Sequence, residues 1–424
     1  LTGVECGPFV LEGRAPDAAV FPASIEEISA LLALAAEEGL PVTPWGGGTK
    51  MAIGSPPTRV GLVLGLRRMN RLLEHEPGDL TATVQAGMTI SALQTEFGRR
   101  GQWLSLDPPY RDQATVGGIL AANASGPRRH LYGTARDLLI GVTVVSADGS
   151  VVRGGGKVVK NVAGYDLPKL YIGSFGSLGI IVEATVKLRP RPDVDRLVVA
   201  RFDRMKACGQ AVRALMSSDL IPSALELVDG EALAALGLGG PAGGAVLVGF
   251  DGIAEQVEWQ CAELERILGG LGLTDSRILD GAARDGVWRG VGELGRHAFE
   301  EPAAAMKWGV LPTQVVDLVE QGAAAAHRNG LRCAFTAHAA VGIVTALLSG
   351  GRDAAREVVA TLAEWRRLAN DSGGHALLEW APLGVKEQVA VWDSPGPSFR
   401  IMERLKAHLD PKGIMNPGRF VGGI

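Results

Sequence analysis

The sequence predicts an α+β protein with two principal domains, and three observations carry that prediction. The first half of the 424 residues alternates helical and strand-like apolar periods. The second half repeats strands that are each followed by one covering helix, the pattern of a sheet with helices packed on a face. Between them stands Leu188-Arg189-Pro190-Arg191-Pro192, where two prolines forbid a continuing helix or a central strand. At roughly 150 residues per domain this length allows two or three domains. The expected divisions are 1–190, 191–400 and a C-terminal segment 401–424.

The elements follow in order. Ser24-Ile25-Glu26-Glu27 is a capping box, because the Ser24 hydroxyl can take an orphan amide while Glu27 reaches back. Ile25, Ile28, Leu32 and Ala35 recur at helical spacing until Gly39 and Pro41 end the helix. Pro41–Trp45 reads as an extended entry to a glycine turn, and Gly61–Leu66 and Asp79–Gln85 as strands. Thr89 caps a helix carrying Ile90, Leu93 and Phe97. Asp137–Ser146 and Val151-Val152 form a hairpin through Asp148-Gly149, and Ile180–Leu188 closes the half as a strand. Beyond the break, Leu197–Phe202, a helix with Cys208, Val212 and Leu215, and Ala224–Val228 read as a β-α-β unit. Ala245–Phe250 with a helix through Val257, Cys261, Leu264 and Leu268 repeats the theme. So does Met306–Val310, with a helix through Val315 and Leu318 and then Leu331–Thr336. Gly230–Gly244, rich in small residues, is expected to be a mobile surface segment. The tail Leu409–Phe420 holds two turn clusters and almost no periodicity.

Composition bounds the function. Hydrophobic residues make up 46% and charged residues 21%, a globular balance, and 42 basic against 46 acidic side chains argue against an electrostatic nucleic-acid binder. No apolar run approaches the roughly 18–20 residues of a membrane span, so no direct membrane insertion is expected. Nothing near Leu1 resembles a secretion signal, which makes a cytoplasmic location the expectation. The four cysteines, Cys6, Cys208, Cys261 and Cys333, are isolated, so this chain alone holds neither a zinc finger nor an iron–sulfur centre.

The 58 glycines are clustered, and three clusters are candidates for chemistry. In Trp45-Gly46-Gly47-Gly48-Thr49, amides uncovered by side chains can converge on an anion, although a triple-glycine turn is as often purely structural. Pro108, then Thr115-Val116-Gly117-Gly118 and Asn123-Ala124-Ser125-Gly126, offer flat backbone and short polar groups, or a tight helix–strand crossing. Gly173, Gly176 and Gly179-Ile180, three residues apart, are too costly for a helix at about 1 kcal/mol each and suit a turn beneath a ligand. Lys157 and Lys160, just upstream, read as ordinary solvated cations.

These segments, in this order, resemble the flavin-binding domain of the vanillyl-alcohol oxidase (PCMH-type) flavoproteins. Asn123-Ala-Ser-Gly126-Pro-Arg128-Arg129, Tyr132-Gly133, Arg136-Asp137, Lys160-Asn-Val-Ala-Gly-Tyr165-Asp166 and Pro411-Lys-Gly-Ile-Met-Asn416 are similar to one subgroup, the smaller FAD-binding subunit of bacterial glycolate oxidase. The resemblance implies two small α/β subdomains clasping an extended FAD, followed by a C-terminal α+β domain with an antiparallel sheet covered by helices. It implies that Gly46, Gly47, Gly48 and Thr49 cradle the pyrophosphate. Pro108, Thr115, Gly117, Gly118, Asn123, Ser125 and Gly126 would line the ribityl chain and flavin. Gly176, Gly179 and Ile180 would present backbone, and Asn416 would return from the tail to the flavin. Relatives that attach flavin covalently use a His or Cys near the first or second segment; here both lack one and His130 lies beyond, so a dissociable FAD is expected.

The second half departs from the D-2-hydroxyacid dehydrogenases of similar fold. Their metal-binding His-Ala-Gly-Asp-Gly-Asn-Leu-His run reads here His338-Ala-Ala340-Val341-Gly-Ile343-Val-Thr345, and their later Gly-Glu-His reads Leu378-Glu379-Trp380. Two surviving donors hold a divalent ion poorly, so no metal is expected. His338, Glu379 and Lys307 are then the candidates for proton transfer and carboxylate anchoring on a small 2-hydroxyacid. The resemblance implies work beside a catalytic flavin subunit and an iron–sulfur subunit, with any membrane association made through those partners. The alternatives are a free-standing metal-free D-2-hydroxyacid (D-lactate) dehydrogenase and a flavin-retaining structural subunit.

Overall fold

A computed structural model describes residues 1–157, 165–240 and 243–424. The chain forms two compact units: Leu1–Ser125 with Gly133–Arg191 and Ser394–Ile424, and Gly126–Tyr132 with Pro192–Asp393. The 126–132 stretch, expected within the first domain, therefore groups with the second.

The first unit carries two sheets. β1 (Ala18–Val20), β2 (Val42–Trp45) and β3 (Leu62–Gly65) form a parallel sheet with β3 central. β4 (Leu72–Glu76), β5 (Thr81–Gln85), β7 (Leu139–Val145), β8 (Val151–Gly155) and β9 (Ile180–Lys187) form an antiparallel sheet in the order β4-β5-β9-β7-β8. A short pair joins β6 (Gln102–Trp103) to β10 (Arg189–Pro190), placing Pro190 at an edge where its missing N–H costs nothing. The helix Ile25–Glu38 starts as its sequence requires: Ser24 Oγ accepts from the Glu27 amide at 3.2 Å, and Glu27 Oε2 accepts from Ala23 N at 2.6 Å. Ile28, Leu32 and Ala35 are its buried stripe, and Gly39, at φ 67°, makes the left-handed stop. Thr89 caps the helix Ile90–Gly98 in the same way, and Gly149, at φ 85°, turns the β7–β8 hairpin.

The second unit is one eight-stranded antiparallel sheet. Its strands are β11 (Val194–Phe202), β12 (Ala224–Asp229), β13 (Gly244–Gly252), β14 (Leu273–Leu279), β15 (Pro302–Gly309), β16 (Cys333–His338), β17 (Ile343–Ser349) and β18 (His375–Trp380). They lie in the order β14-β11-β13-β12-β16-β17-β15-β18. Four helices, Met205–Met216, Ala254–Leu268, Val315–Arg328 and Ala355–Asp371, cover one face around Trp308, Phe335 and Trp365.

Three expectations are revised. The β-α-β unit is split, because β13 pairs between β11 and β12. Helices are not confined to one face: Leu197 and Val199 bury a second apolar surface with Ala232, Leu233, Val287 and Val291 from the helices Gly230–Ala235 and Gly281–Glu293. The continuous apolar run of β11 demands this cover, since alternate side chains point to opposite faces. The Gly230–Gly244 segment, expected to be mobile, begins as that ordered helix, because the Asp229 carboxylate accepts from the Ala232 amide at 2.8 Å and Leu233 is fully buried. Burial pushes the Asp229 carboxyl up to about 7 against that capping bond. All four cysteines are free and buried, and burial holds the Cys208 and Cys333 thiols up at about 12.

Candidate functional site

In the first unit the three glycine segments and the tail converge. A Cβ on Gly46 would stand 2.2 Å from Thr115 Oγ1, and one on Gly47 would stand 1.8 Å from the Gln113 carbonyl oxygen, so the first segment closes on the second. A Cβ on Gly176 would stand 3.0 Å from Pro44 Cγ, while the amides of Gly173 and Phe175 donate to Leu120 O and Ala121 O. Asn416 reaches both sides: its amide donates to Val42 O at 2.8 Å and its Nδ2 to Phe175 O at 2.6 Å.

The candidate residues sort by exposure. Gly47, Gly118 and Asn123 are exposed; Gly46, Gly48, Thr49 and Ser125 are half-buried and within reach of a ligand. Pro108, Thr115, Gly117, Gly126, Gly176, Gly179, Ile180 and Asn416 are buried. Thr115 caps its helix by accepting from Gly118 N, and Gly117 packs on Ala86. Gly179, at φ 154°, packs on Val144 and Val145. Gly126 begins the stretch that groups with the second unit. Lys157 is an exposed cation paired with Glu74 at 2.5 Å; Lys160, Asn161 and Gly164 lie outside the described residues.

Two features fit the expected flavin nucleotide. Among the described residues, the amides of Gly46, Gly47, Gly48 and Thr49 have no hydrogen-bond partner, which leaves four successive N–H groups available to an anion. Asn416 Oδ1 is also buried without a partner among the described residues, an acceptor suited to a ligand N–H or O–H.

The tail is held by charges that the sequence reading missed. Lys406 Nζ donates to Ser177 O at 2.8 Å, Met415 O at 2.9 Å and Asp410 Oδ2 at 2.7 Å, while Asp410 accepts from the amides of Ile414 and Met415. Burial pushes the Lys406 amine down, and Asp410 holds it up. Arg419 donates to the carbonyls of Met51 and Ile53.

In the second unit, cross-strand register brings the three catalytic candidates to one sheet face. Glu226 pairs with His338, Thr336 with Thr345, and Thr345 with Lys307, so these side chains form a polar row across β12, β16, β17 and β15. Lys307 Nζ donates to Glu379 Oε1 at 2.7 Å. His338 Nδ1 lies 2.6 Å from Glu226 Oε1. The row thus holds a hydrogen-bonded pair at one end and an ion pair at the other, with His338 and Lys307 roughly 12 Å apart at Cα from strand spacing and rise. Glu226, Thr336 and Thr345 were not singled out from sequence, although a lone carboxylate within Ala-Leu-Glu226-Leu-Val was a visible signal. Burial pushes the Glu226 carboxyl up, while His338 and Arg129 pull it down.

Arg129 lies beside a clamp. Arg128 Nη1 donates to Asp251 at 2.7 Å and its other nitrogen bonds Asp195; these two carboxylates face each other across β11 and β13. The Tyr132 hydroxyl also donates to Asp251, and Arg284 Nη1 lies 3.2 Å from Asp195. Burial pushes the Asp195 carboxyl up, and Arg128 and Arg284 oppose it. Among the described residues no three His, Cys, Asp or Glu side chains gather as a metal site, and no helix is long and apolar enough to cross a membrane.

Comparison with known proteins bears on both units. The pattern of a family described as FAD binding domain matches residues 16–155, and that of FAD linked oxidases, C-terminal domain, matches residues 191–420. The glycolate oxidase subunit GlcD of Bacillus subtilis is 31% identical over 96% of this chain and 89% of its own length. A D-lactate dehydrogenase of Archaeoglobus fulgidus is 29% identical over 95% of this chain and 90% of its own length. Among solved structures, p-cresol methylhydroxylase with bound substrate superposes with a TM-score of 0.73 at 19% identity, covering 96% of this chain and 88% of that one. At that identity the likeness shows the PCMH-type fold alone.

Proposed function

Because this chain belongs to the FAD-linked oxidases, we propose that it is the FAD-binding subunit of a glycolate oxidase that dehydrogenates a small 2-hydroxyacid. The single observation that carries the reading is that one unit holds four successive unpartnered amides and the buried Asn416 acceptor, in a chain whose other unit bears a polar row. Gly46, Gly47, Gly48 and Thr49 hold the pyrophosphate, while Gly118, Asn123, Ser125 and Asn416 contact the rest of the nucleotide without a covalent bond. Bound FAD supplies a two-electron acceptor for the hydride leaving the substrate's C2.

The chain's own groups do the rest. Lys307 anchors the substrate carboxylate, and Glu379, 2.7 Å away, keeps the ammonium oriented. His338 takes the hydroxyl proton, so glycolate leaves as glyoxylate. Its four cysteines being isolated in the sequence, the subunit passes its electrons to partners, a second flavin subunit and an iron–sulfur subunit, and any membrane contact is theirs. A free-standing D-lactate dehydrogenase is the second reading, favoured by relatives of that name aligned over nearly the whole chain.

Anaerobic mixing separates these readings. If the subunit reading holds, glycolate bleaches the flavin absorbance of the reconstituted complex. Bleaching of the isolated chain by D-lactate and not by glycolate supports the free-standing enzyme. A flavin that neither substrate bleaches, alone or with partners, overturns both.

A further inference from the structure

The polar row contains a carboxylate whose burial is hard to explain as packing alone. Glu226 is 1% exposed and sits between Leu225 and Leu227 on an interior strand, an arrangement that costs free energy unless the carboxyl is paired and hydrogen-bonded. The cross-strand neighbour on β13, Leu247, is apolar. The described titratable and charged groups facing Glu226 are His338 from β16 and Arg129 from the helix Arg129–Tyr132. That short helix is held by the Arg128 and Tyr132 bonds to Asp195 and Asp251. His338, in turn, is only partly buried, and its Nδ1 edge is the one turned to Glu226. Imidazole geometry places Nε2 on the opposite edge, and no described residue bonds it.

We propose that Glu226 is a positioning residue: its carboxylate accepts the Nδ1–H of His338 and so leaves the Nε2 lone pair to take the substrate's hydroxyl proton. This inference rests on His338 being the base of the proposed function. In the step, the hydroxyl O–H bond breaks and an Nε2–H bond forms as the hydride departs, leaving imidazolium beside a buried carboxylate. The pair therefore becomes an ion pair as the reaction advances, and the charge developing on the ring meets a counter-charge already in place. Burial pushes the Glu226 carboxyl up, and His338 and Arg129 oppose that push. Gln at 226 keeps the volume but offers an amide that can donate to Nδ1, which selects the wrong tautomer and removes the counter-charge.

The test combines spectroscopy of the holoenzyme with kinetics. Side-chain 15N spectra of the wild-type protein above its acid limb, with the His338 signal assigned by its loss in His338→Gln, are expected to show Nδ1 protonated and Nε2 bare. A protonated Nε2 there overturns the proposal, whether or not any variant folds. In Glu226→Gln, the rate of flavin bleaching is expected to fall at least about thirtyfold, as for loss of an orienting acid, with KM within about twofold. The acid limb of the rate profile is expected to move to lower pH, and Glu226→Asp to recover part of the rate. A Glu226→Gln rate and profile like the wild type overturn the proposal. If His338→Gln itself bleaches at the wild-type rate, the assignment of His338 as base has failed, and Glu226 with it. A dead His338→Gln beside an unaffected Glu226→Gln sinks only the present inference.

Discussion

Asp410→Ala is expected to lower the stability of the protein by about 3–5 kcal/mol, the cost of breaking one side of a buried ion pair. The Asp410 side chain is fully buried and that of Lys406 is 10% exposed, so neither charge has water to turn to. Asp410 also accepts from Ile414 N at 3.0 Å and Met415 N at 2.8 Å, so the truncation strands two buried amides as well as an ammonium. The carbonyls of Ser177 and Met415 would still face Lys406, but they bring no net charge. Because Met415 precedes Asn416, the acceptor proposed to meet the flavin should loosen with it. Denaturant unfolding of the wild type, Asp410→Ala and the double variant Lys406→Met/Asp410→Asn measures this. The double variant, which removes both charges and keeps the volume, should recover most of the loss. A loss below about 1 kcal/mol in Asp410→Ala would place this pair with surface ion pairs and contradict the role given to it.

Gly47→Ala is expected to cut the FAD retained per chain at least tenfold, equivalent to about 1.4 kcal/mol of binding. The added Cβ would meet Gln113 O at 1.8 Å, Gln113 C at 2.6 Å and Ala114 N at 3.4 Å. All three are backbone atoms, so no rotamer relieves the overlap and one segment must lift from the other. Lifting displaces the amides of Gly46, Gly48 and Thr49, whose proposed use to the pyrophosphate depends on their staying together. Gly78→Ala is the matched control: its Cβ would meet nothing within 4 Å, and its FAD content should equal that of the wild type. The flavin-to-protein absorbance ratio after gel filtration decides the matter. Equal ratios in the two variants would mean that the first glycine segment serves packing alone.

What was legible in the sequence was mostly local. Ser24 and Thr89 cap their helices as the residue order required, and Asp148-Gly149 turns its hairpin, because cap and turn chemistry is settled within four residues. The compact units divide between Arg191 and Pro192, within the proline-rich stretch 188–192. Strand order was not: nothing local in Ala245–Phe250 states that it pairs between β11 and β12. The helix Gly230–Ala235 was missed because its small residues read as a linker, whereas the Asp229 cap and the burial of Leu233 decide its state. At the site, residue types pointed to His338, Lys307 and Glu379, but their shared face emerges only from register across four pairings. Lys406 and Asp410, four apart on a helix, looked like an ordinary surface pair until the tail buried them.

The most direct measurement is the flavin content of the purified chain before and after acid precipitation. Convergent glycine segments without a covalent link predict about one FAD per chain in the native protein, with all of the yellow colour in the supernatant once the protein precipitates. Colour that stays in the pellet would contradict dissociable binding. A colourless chain that takes up no FAD on incubation would contradict the account as a whole.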